Sequence, residues 1–234
     1  MEMKKLCIYL WGVFLGGLAA GCSDDEEISP QIAPDAIGTF VDERDGYVYH
    51  YVRYGDQEWT CENSHYIISD QNVCSIYQPN TWEWADVEFD YRYYDRFGCL
   101  YRLDQAFEAV PEGWRLPTDE DWQKLERHFG MSADEAAGLD WRGNVGGLMK
   151  TESDDYSTLG IQCGGYYTDY TSGGRLGWRY MAVYGYYWTA TQDPSRDSGF
   201  YFARKFIYNG NGVWRHSMEK DHYQLYVRFV RDVN

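Results

Sequence analysis

Residues 47–54, Tyr47-Val48-Tyr49-His50-Tyr51-Val52-Arg53-Tyr54, form a run dense in β-formers that closes on Gly55-Asp56. The run predicts a strand and a turn, with residues 57–63 returning as an antiparallel partner. Further along, Leu103, Ala106, Phe107 and Val110 recur at helical spacing until Pro111-Glu112-Gly113 breaks the pattern. A second helix is predicted from Pro117-Thr118. Thr118 is its N-cap, Asp119, Glu120 and Asp121 fill its first turn, Trp122, Leu125 and Phe129 line one face, and Gly130 ends it. Ser132 and Glu135 have the spacing of a capping box for a short helix over 132–137. Residues 146–151 read as a strand leading into a loop.

The C-terminal half returns to strand patterns at 186–191 and 199–207. Asn209-Gly210-Asn211-Gly212 then predicts a hairpin turn into Val213-Trp214-Arg215. In the last segment, residues 224–231, Leu225, Val227 and Phe229 alternate with Tyr226, Arg228 and Val230, so a strand covered on both faces is expected. Strand, helices, then strands indicate an α+β domain with two main helices and antiparallel sheets, whose terminal strands can meet.

The elements are preceded by a leader. Lys4 and Lys5 stand before an apolar stretch over 6–18, and Ala19-Ala20-Gly21 precede Cys22 and the acidic run Ser23-Asp24-Asp25-Glu26-Glu27. Thirteen residues are too few to span a bilayer, which takes roughly 20, so residues 1–21 read as a signal peptide. Small residues before a cysteine resemble a bacterial lipobox, and the acidic run resembles the signal that places Bacteroidota lipoproteins on the outer face of the outer membrane. Cys22 is therefore the expected lipidation site and the only expected membrane contact, each acyl methylene contributing about 0.8 kcal/mol in the bilayer. Residues 22–36, acidic and containing Pro30 and Pro34, read as a flexible tether, and residues 37–234 as one domain.

Charge narrows the partners. Lys4, Lys5 and Glu2 leave with the leader, so the formal net charge of −16 becomes −17. That balance argues against nucleic acid and anionic lipid, which reward clustered Lys and Arg. Twenty-three Tyr and ten Trp must supply most of the core, with hydrogen bonds for their polar tips. Four cysteines follow Cys22: Cys61, Cys74, Cys99 and Cys163. Export permits disulfides, and Cys61 with Cys74 is the most local pairing, with free buried thiols the alternative.

Specific blocks resemble a known family. Gly46-Tyr47-Val48-Tyr49, Tyr54-Gly55-Asp56-Gln57-Glu58-Trp59 and Glu62-Asn63 look like the opening of the Fibrobacter succinogenes major paralogous domain. Gly98-Cys99-Leu100-Tyr101, Gly113-Trp114-Arg115-Leu116-Pro117-Thr118 with Trp122, Gly185-Tyr186-Tyr187-Trp188-Thr189-Ala190-Thr191 and Tyr226-Val227-Arg228-Phe229-Val230-Arg231-Asp232 follow in the family's order. The resemblance implies a C-type-lectin-like fold with closely placed termini. Val110 and Phe229 stand where many members have cysteines; the resemblance implies that the two are neighbours and that their packing substitutes for a bridge.

No reaction is legible. Gln78-Pro79-Asn80 resembles the calcium and sugar triplet of C-type lectins but precedes the helices and lacks a Trp-Asn-Asp partner. Gly146-Gly147-Leu148-Met149-Lys150-Thr151 has Met where a phosphate loop requires Gly. The five histidines show no zinc-ligand spacing, and no cofactor or metal is expected. The expected ligand surface is aromatic: Trp178, Arg179, Tyr180, Tyr184, Tyr208, Trp214, Arg215 and His216, in the glycine-rich turns of the second half. The expected role is non-catalytic binding of an extracellular polysaccharide by a surface-exposed lipoprotein. A protein-binding adhesin or assembly subunit is the alternative, and an enzyme of the formylglycine-generating type comes third.

Overall fold

The structure, a computed structural model, describes residues 32–68, 91–150, 152–169 and 177–233. The leader, Cys22, the tether up to residue 31, Cys74 and the Gln78-Pro79-Asn80 triplet lie outside the described residues. The chain divides by contacts into Met1–Gln31 and Ile32–Asn234, and every described element belongs to the second unit. These elements run β1 (Ala36–Val41), β2 (Val48–Tyr54), β3 (Gln57–Thr60), α1 (Tyr91–Phe97), α2 (Leu103–Glu108), α3 (Asp119–His128), α4 (Ala133–Ala137), β4 (Asp140–Arg142), α5 (Gly146–Lys150), β5 (Tyr166–Thr168), β6 (Gly177–Arg179), β7 (Tyr184–Gln192), β8 (Phe200–Ile207), β9 (Val213–Glu219), β10 (Tyr223–Gln224) and β11 (Val230–Asp232). Mixed helices and antiparallel sheets make this an α+β domain.

The first sheet has the order β1-β2-β3-β11. Tyr54 pairs with Gln57 across Gly55, whose φ of +63° suits a residue without Cβ. The last strand then closes on β3, with Val230 opposite Trp59. Both ends of the unit meet at this hairpin: Asp35 N donates to Arg53 O at 2.8 Å, and Val233 N to Asp56 O at 2.8 Å. The larger sheet has the order β4-β9-β8-β7, and a small one the order β10-β5-β6.

Two apolar clusters fill the interior. In one, Trp122, Leu125 and Phe129 of the α3 face pack with Trp59, Tyr187 and Phe206. The other holds Tyr49, Tyr101, Trp114, Trp188, Leu225 and Phe229, and Val110 packs against it. Val110 and Phe229, expected to be neighbours, thus share one apolar cluster. All of residues 224–230 are buried, as expected of a segment covered on both faces. It is not one strand, however. Leu225 bridges to Tyr101 and Tyr226 to Tyr187, so the segment serves several partners between β10 and β11.

A second correction concerns residues 146–151, expected as strand and loop. Residues 146–150 instead form α5, because Val145 and Met149 bury at helical spacing and Met149 N bonds back to Val145 O. The glycines serve close approach: a Cβ on Gly146 would lie 2.9 Å from the Asn211 carbonyl oxygen.

The predicted caps form. Thr118 Oγ1 accepts from Asp121 N, and Asp121 Oδ2 accepts from Thr118 N at 2.7 Å, a box whose cap contributes about 1 kcal/mol. Ser132 and Glu135 repeat the device at α4. Asp121 also holds the Arg115 guanidinium and accepts from Gln57 Nε2 at 2.6 Å. Burial alone would raise its pKa, but Arg115 and Thr118 outweigh burial and bring the carboxyl down to about 2. Because the folded value lies below the ordinary 3.8, the stabilisation is complete above pH 4 and is lost as pH falls towards 2. Urea unfolding between pH 7 and 2 is expected to show this loss, and Asp121→Asn to flatten it. An unchanged acid slope in that variant would remove Asp121 as its source.

Deeper in, Asp119 and Glu126 of α3 face three arginines. Arg204 Nε and Nη1 donate to Glu126 Oε1 at 2.6 Å and Asp119 Oδ1 at 2.7 Å. Arg142 Nη2 reaches Glu126 Oε2 at 2.6 Å, and Arg215 Nη2 reaches Asp119 Oδ2 at 2.7 Å. All five side chains are buried, and the cluster ties α3 to β4, β8 and β9. Burial raises the pKa of Asp119, but Arg215 and Arg204 bring it below the ordinary carboxylate value.

Candidate functional site

Period-two alternation sends Phe202, Arg204 and Phe206 of β8 to the buried face of the large sheet, together with Val213, Arg215 and Ser217 of β9. Lys205, Trp214 and His216 therefore point the other way. Cross-strand pairing aligns one residue from each strand in a single row: Trp141 opposite Trp214, Trp214 opposite Lys205, Lys205 opposite Tyr186. Lys205 Nζ lies 4.2 Å from the Trp214 ring centre, 4.9 Å from Trp141, 5.3 Å from Tyr184 and 5.7 Å from Tyr186. Each such contact contributes roughly 0.5–2 kcal/mol, more as water is excluded. Burial lowers the Lys205 pKa, while the charge of Asp140 acts in the opposite direction. Among the described residues no oxygen accepts a hydrogen bond from Nζ.

Beside this row lies a cleft of about 530 Å³ whose walls include Tyr166, Tyr186, Tyr223, Trp214, Lys205 and Arg196. Tyr166 makes edge contacts with Tyr186 at 4.8 Å and Tyr223 at 5.5 Å, and its ring centre is 5.9 Å from that of Tyr180. Burial pushes the Tyr166 phenol up to about 12 and Tyr186 higher still, so both remain neutral and can donate and accept hydrogen bonds. Arg196 lies over the Phe200 ring at 3.9 Å, and Glu219 is the carboxylate of the wall. Tyr180 is half-exposed yet held at φ +61°, a conformation that costs a non-glycine residue about 1 kcal/mol or more.

Of the residues singled out in the sequence, Tyr180, Tyr184, Trp214 and His216 gather here. Tyr180 and Tyr184 rings are 5.3 Å apart, and His216 stacks on Trp214 at 5.4 Å. Arg215 does not belong with them: it faces inward and pairs with buried Asp119, the neighbouring position on an alternating strand. Trp178 and Arg179 lie on β6, where Trp178 packs on the core and makes an edge contact with Tyr167 at 6.1 Å. Tyr208 borders a separate cavity of about 540 Å³ together with Lys150 and Cys163. There Lys150 Nζ donates to the carbonyls of Ile207, Tyr208 and Gly210.

Lys205, Trp141, Tyr166, Tyr186, Tyr223 and Arg196 were not among the expected site residues. A signal for Lys205 existed, because Lys205 and Trp214 are equidistant from the Asn209-Gly210 turn and must pair in a regular hairpin. Cys61 and Cys163 hold free thiols, and Cys99 Sγ donates to His65 O at 3.8 Å. Burial pushes Cys61 up to about 12, which makes it a poor nucleophile. Among the described residues there is no cluster of metal-ligating side chains and no helix long and apolar enough to cross a membrane.

Compared with known proteins, the chain matches the model of the Fibrobacter succinogenes major domain over residues 52–231. No curated protein and no solved structure matches it.

Proposed function

The chain belongs to the Fibrobacter succinogenes major domain family, and on that premise we propose that it is a non-catalytic glycan-binding lipoprotein of the cell surface. In this reading the fold is C-type-lectin-like, in keeping with the meeting of both ends of the unit at the β2–β3 hairpin. The leader and Cys22 favour a lipid anchor at the outer membrane, and the acidic run after Cys22 favours exposure to the medium. The anchor leaves the domain free to meet extracellular polysaccharide.

The observation that carries the reading is the aromatic row around Lys205 and its open cleft. Sugar rings present apolar C–H faces that stack on Trp and Tyr, and their hydroxyls exchange hydrogen bonds with neutral phenols. A rigid aromatic wall also loses little entropy on binding. The half-exposed, strained Tyr180 fits such a use, since backbone strain concentrates where function requires it. Among the described residues of the cleft wall Glu219 is the single carboxylate, whereas glycoside hydrolysis by paired carboxylates takes two.

Binding of the full chain to plant, host and bacterial polysaccharides tests the proposal. Trp214→Ala is expected to weaken the best ligand by about tenfold or more. Trp214 is half-buried on the outer face, so Tm should move by less than about 4 °C, the shift of roughly 1 kcal/mol in a domain of this size. Silence across the panel would discard the glycan reading in favour of a protein partner. A large fall in Tm would make Trp214 part of the scaffold.

A further inference from the structure

Four lysines lie within the described residues. Lys124 pairs with Asp56, Lys220 with Asp221 at 3.1 Å, and Lys150 donates to three carbonyls. Lys205 differs. Its ammonium is partly withdrawn from water by Trp141, Trp214, Tyr184 and Tyr186, and among the described residues no acceptor replaces the lost hydration. Ring faces offset part of that cost but give its three N–H donors nothing directional. The buried arginines, by contrast, are all met by carboxylates or carbonyls.

Resting on the glycan-binding reading, we infer that the ligand of this cleft is an acidic sugar whose carboxylate is held by Lys205. A carboxylate supplies the missing acceptor as a charge-assisted hydrogen bond, about twice as strong as a neutral one. Arg196 lines the same cleft and adds a second positive charge. Glu219 at the wall and Asp140 near Lys205 balance these two charges, so the site is locally neutral and selects by the placement of its donors. The rest of the molecule is strongly acidic, with a net charge of −16 over the whole chain. That field repels dense polyanions at long range. The ligand is therefore a sugar with isolated carboxylates, a uronic acid, rather than a heavily sulfated chain. The aromatic walls take its ring, and Lys205 reads its acid group.

Calorimetric titration of the full chain separates this inference from the reading beneath it. The probes are trigalacturonic acid, its methyl ester, neutral cellotriose and an acetylated triglutamate peptide. The acid is expected to bind about tenfold more tightly than the ester, and the margin to shrink as salt is raised from 20 to 300 mM, roughly a threefold or greater shortening of the screening length. Lys205→Met should erase the margin, and Lys205→Arg should retain it. Equal binding of acid and ester by the parent chain, or a margin that survives Lys205→Met, would overturn the inference and leave glycan binding standing. Failure of all three sugars would overturn the inference, and silence across the polysaccharide panel would overturn the glycan reading with it. Peptide binding as tight as that of the triacid would assign the carboxylate to a protein partner and overturn the inference. Should Lys205→Met not fold, the acid–ester comparison on the parent chain decides alone.

Discussion

Replacing Glu126 with alanine is expected to lower the unfolding free energy by about 3–5 kcal/mol, the usual cost of stranding a buried charge. Glu126 is fully buried and holds two guanidinium groups at 2.6 Å, Arg204 through Oε1 and Arg142 through Oε2. Burial lowers Arg142 to about 10 even with Glu126 beside it. Without the carboxylate, Arg204 and Arg215 would share Asp119, and Arg142 would retain only the carbonyls of Ala136 and Val213. Tm should fall by roughly 6–20 °C for a domain of this size. Glu126→Gln should fall between, since it keeps the shape and one acceptor but not the charge. A loss below about 1 kcal/mol in thermal and urea unfolding would mean that water enters and solvates the cluster, against its buried geometry.

Arg228 provides a second large effect of different origin. Its side chain is fully buried, yet its acceptors are all neutral: Asn63 Oδ1 at 2.7 Å and the carbonyls of Thr60 at 2.8 Å, Leu159 at 2.9 Å and Gly160 at 2.7 Å. One planar fork thus closes the loop over 159–160 against the end of β3. Arg228→Met refills the volume but orphans four acceptors, each costing about 1–3 kcal/mol when buried, so a total near 4 kcal/mol or more is expected. Limited proteolysis should then cut the segment 152–163 first. Arg228→Lys keeps the charge but not the fork, and should recover less than half of the loss. Full recovery would show that charge rather than geometry is what these carbonyls require.

The resemblance that identifies this domain from sequence is carried largely by residues that turn inward. Trp59, Asn63, Trp114, Trp122, Trp188 and Arg228 all belong to the quoted blocks, and all are buried. Such residues announce a scaffold, which is why β2, β3, β7, β8 and β9, the two hairpins, the Thr118 cap and the Ser132–Glu135 box were legible, while β1, β4, β5 and β6 were not. The cleft draws instead on residues outside or at the margins of those blocks. Trp141, Lys205 and Trp214 come from three different strands, and Tyr166 and Tyr223 from the small sheet. Their meeting depends on long-range pairing, which no local pattern encodes. Arg215 was misplaced for a simpler reason: next to an outward Trp214, it had to point inward. The Gly-Gly pair hid α5, because its helical state depends on Val145, Met149 and the distant Asn211.

The buried course of residues 224–230 and the seat of β11 beside β3 bear on when the domain can fold. Synthesis proceeds from the other end, so the N-terminal hairpin waits for its last partner strand until residue 232 has been made. Contacts between residues nearly the whole domain apart close last and slowly. A nascent chain without them lacks Tyr226, Val227 and Phe229, and both apolar clusters stay open. It remains a threadable polymer for as long as it is being translated, the condition that passage through a secretion channel imposes on the exported lipoprotein proposed above.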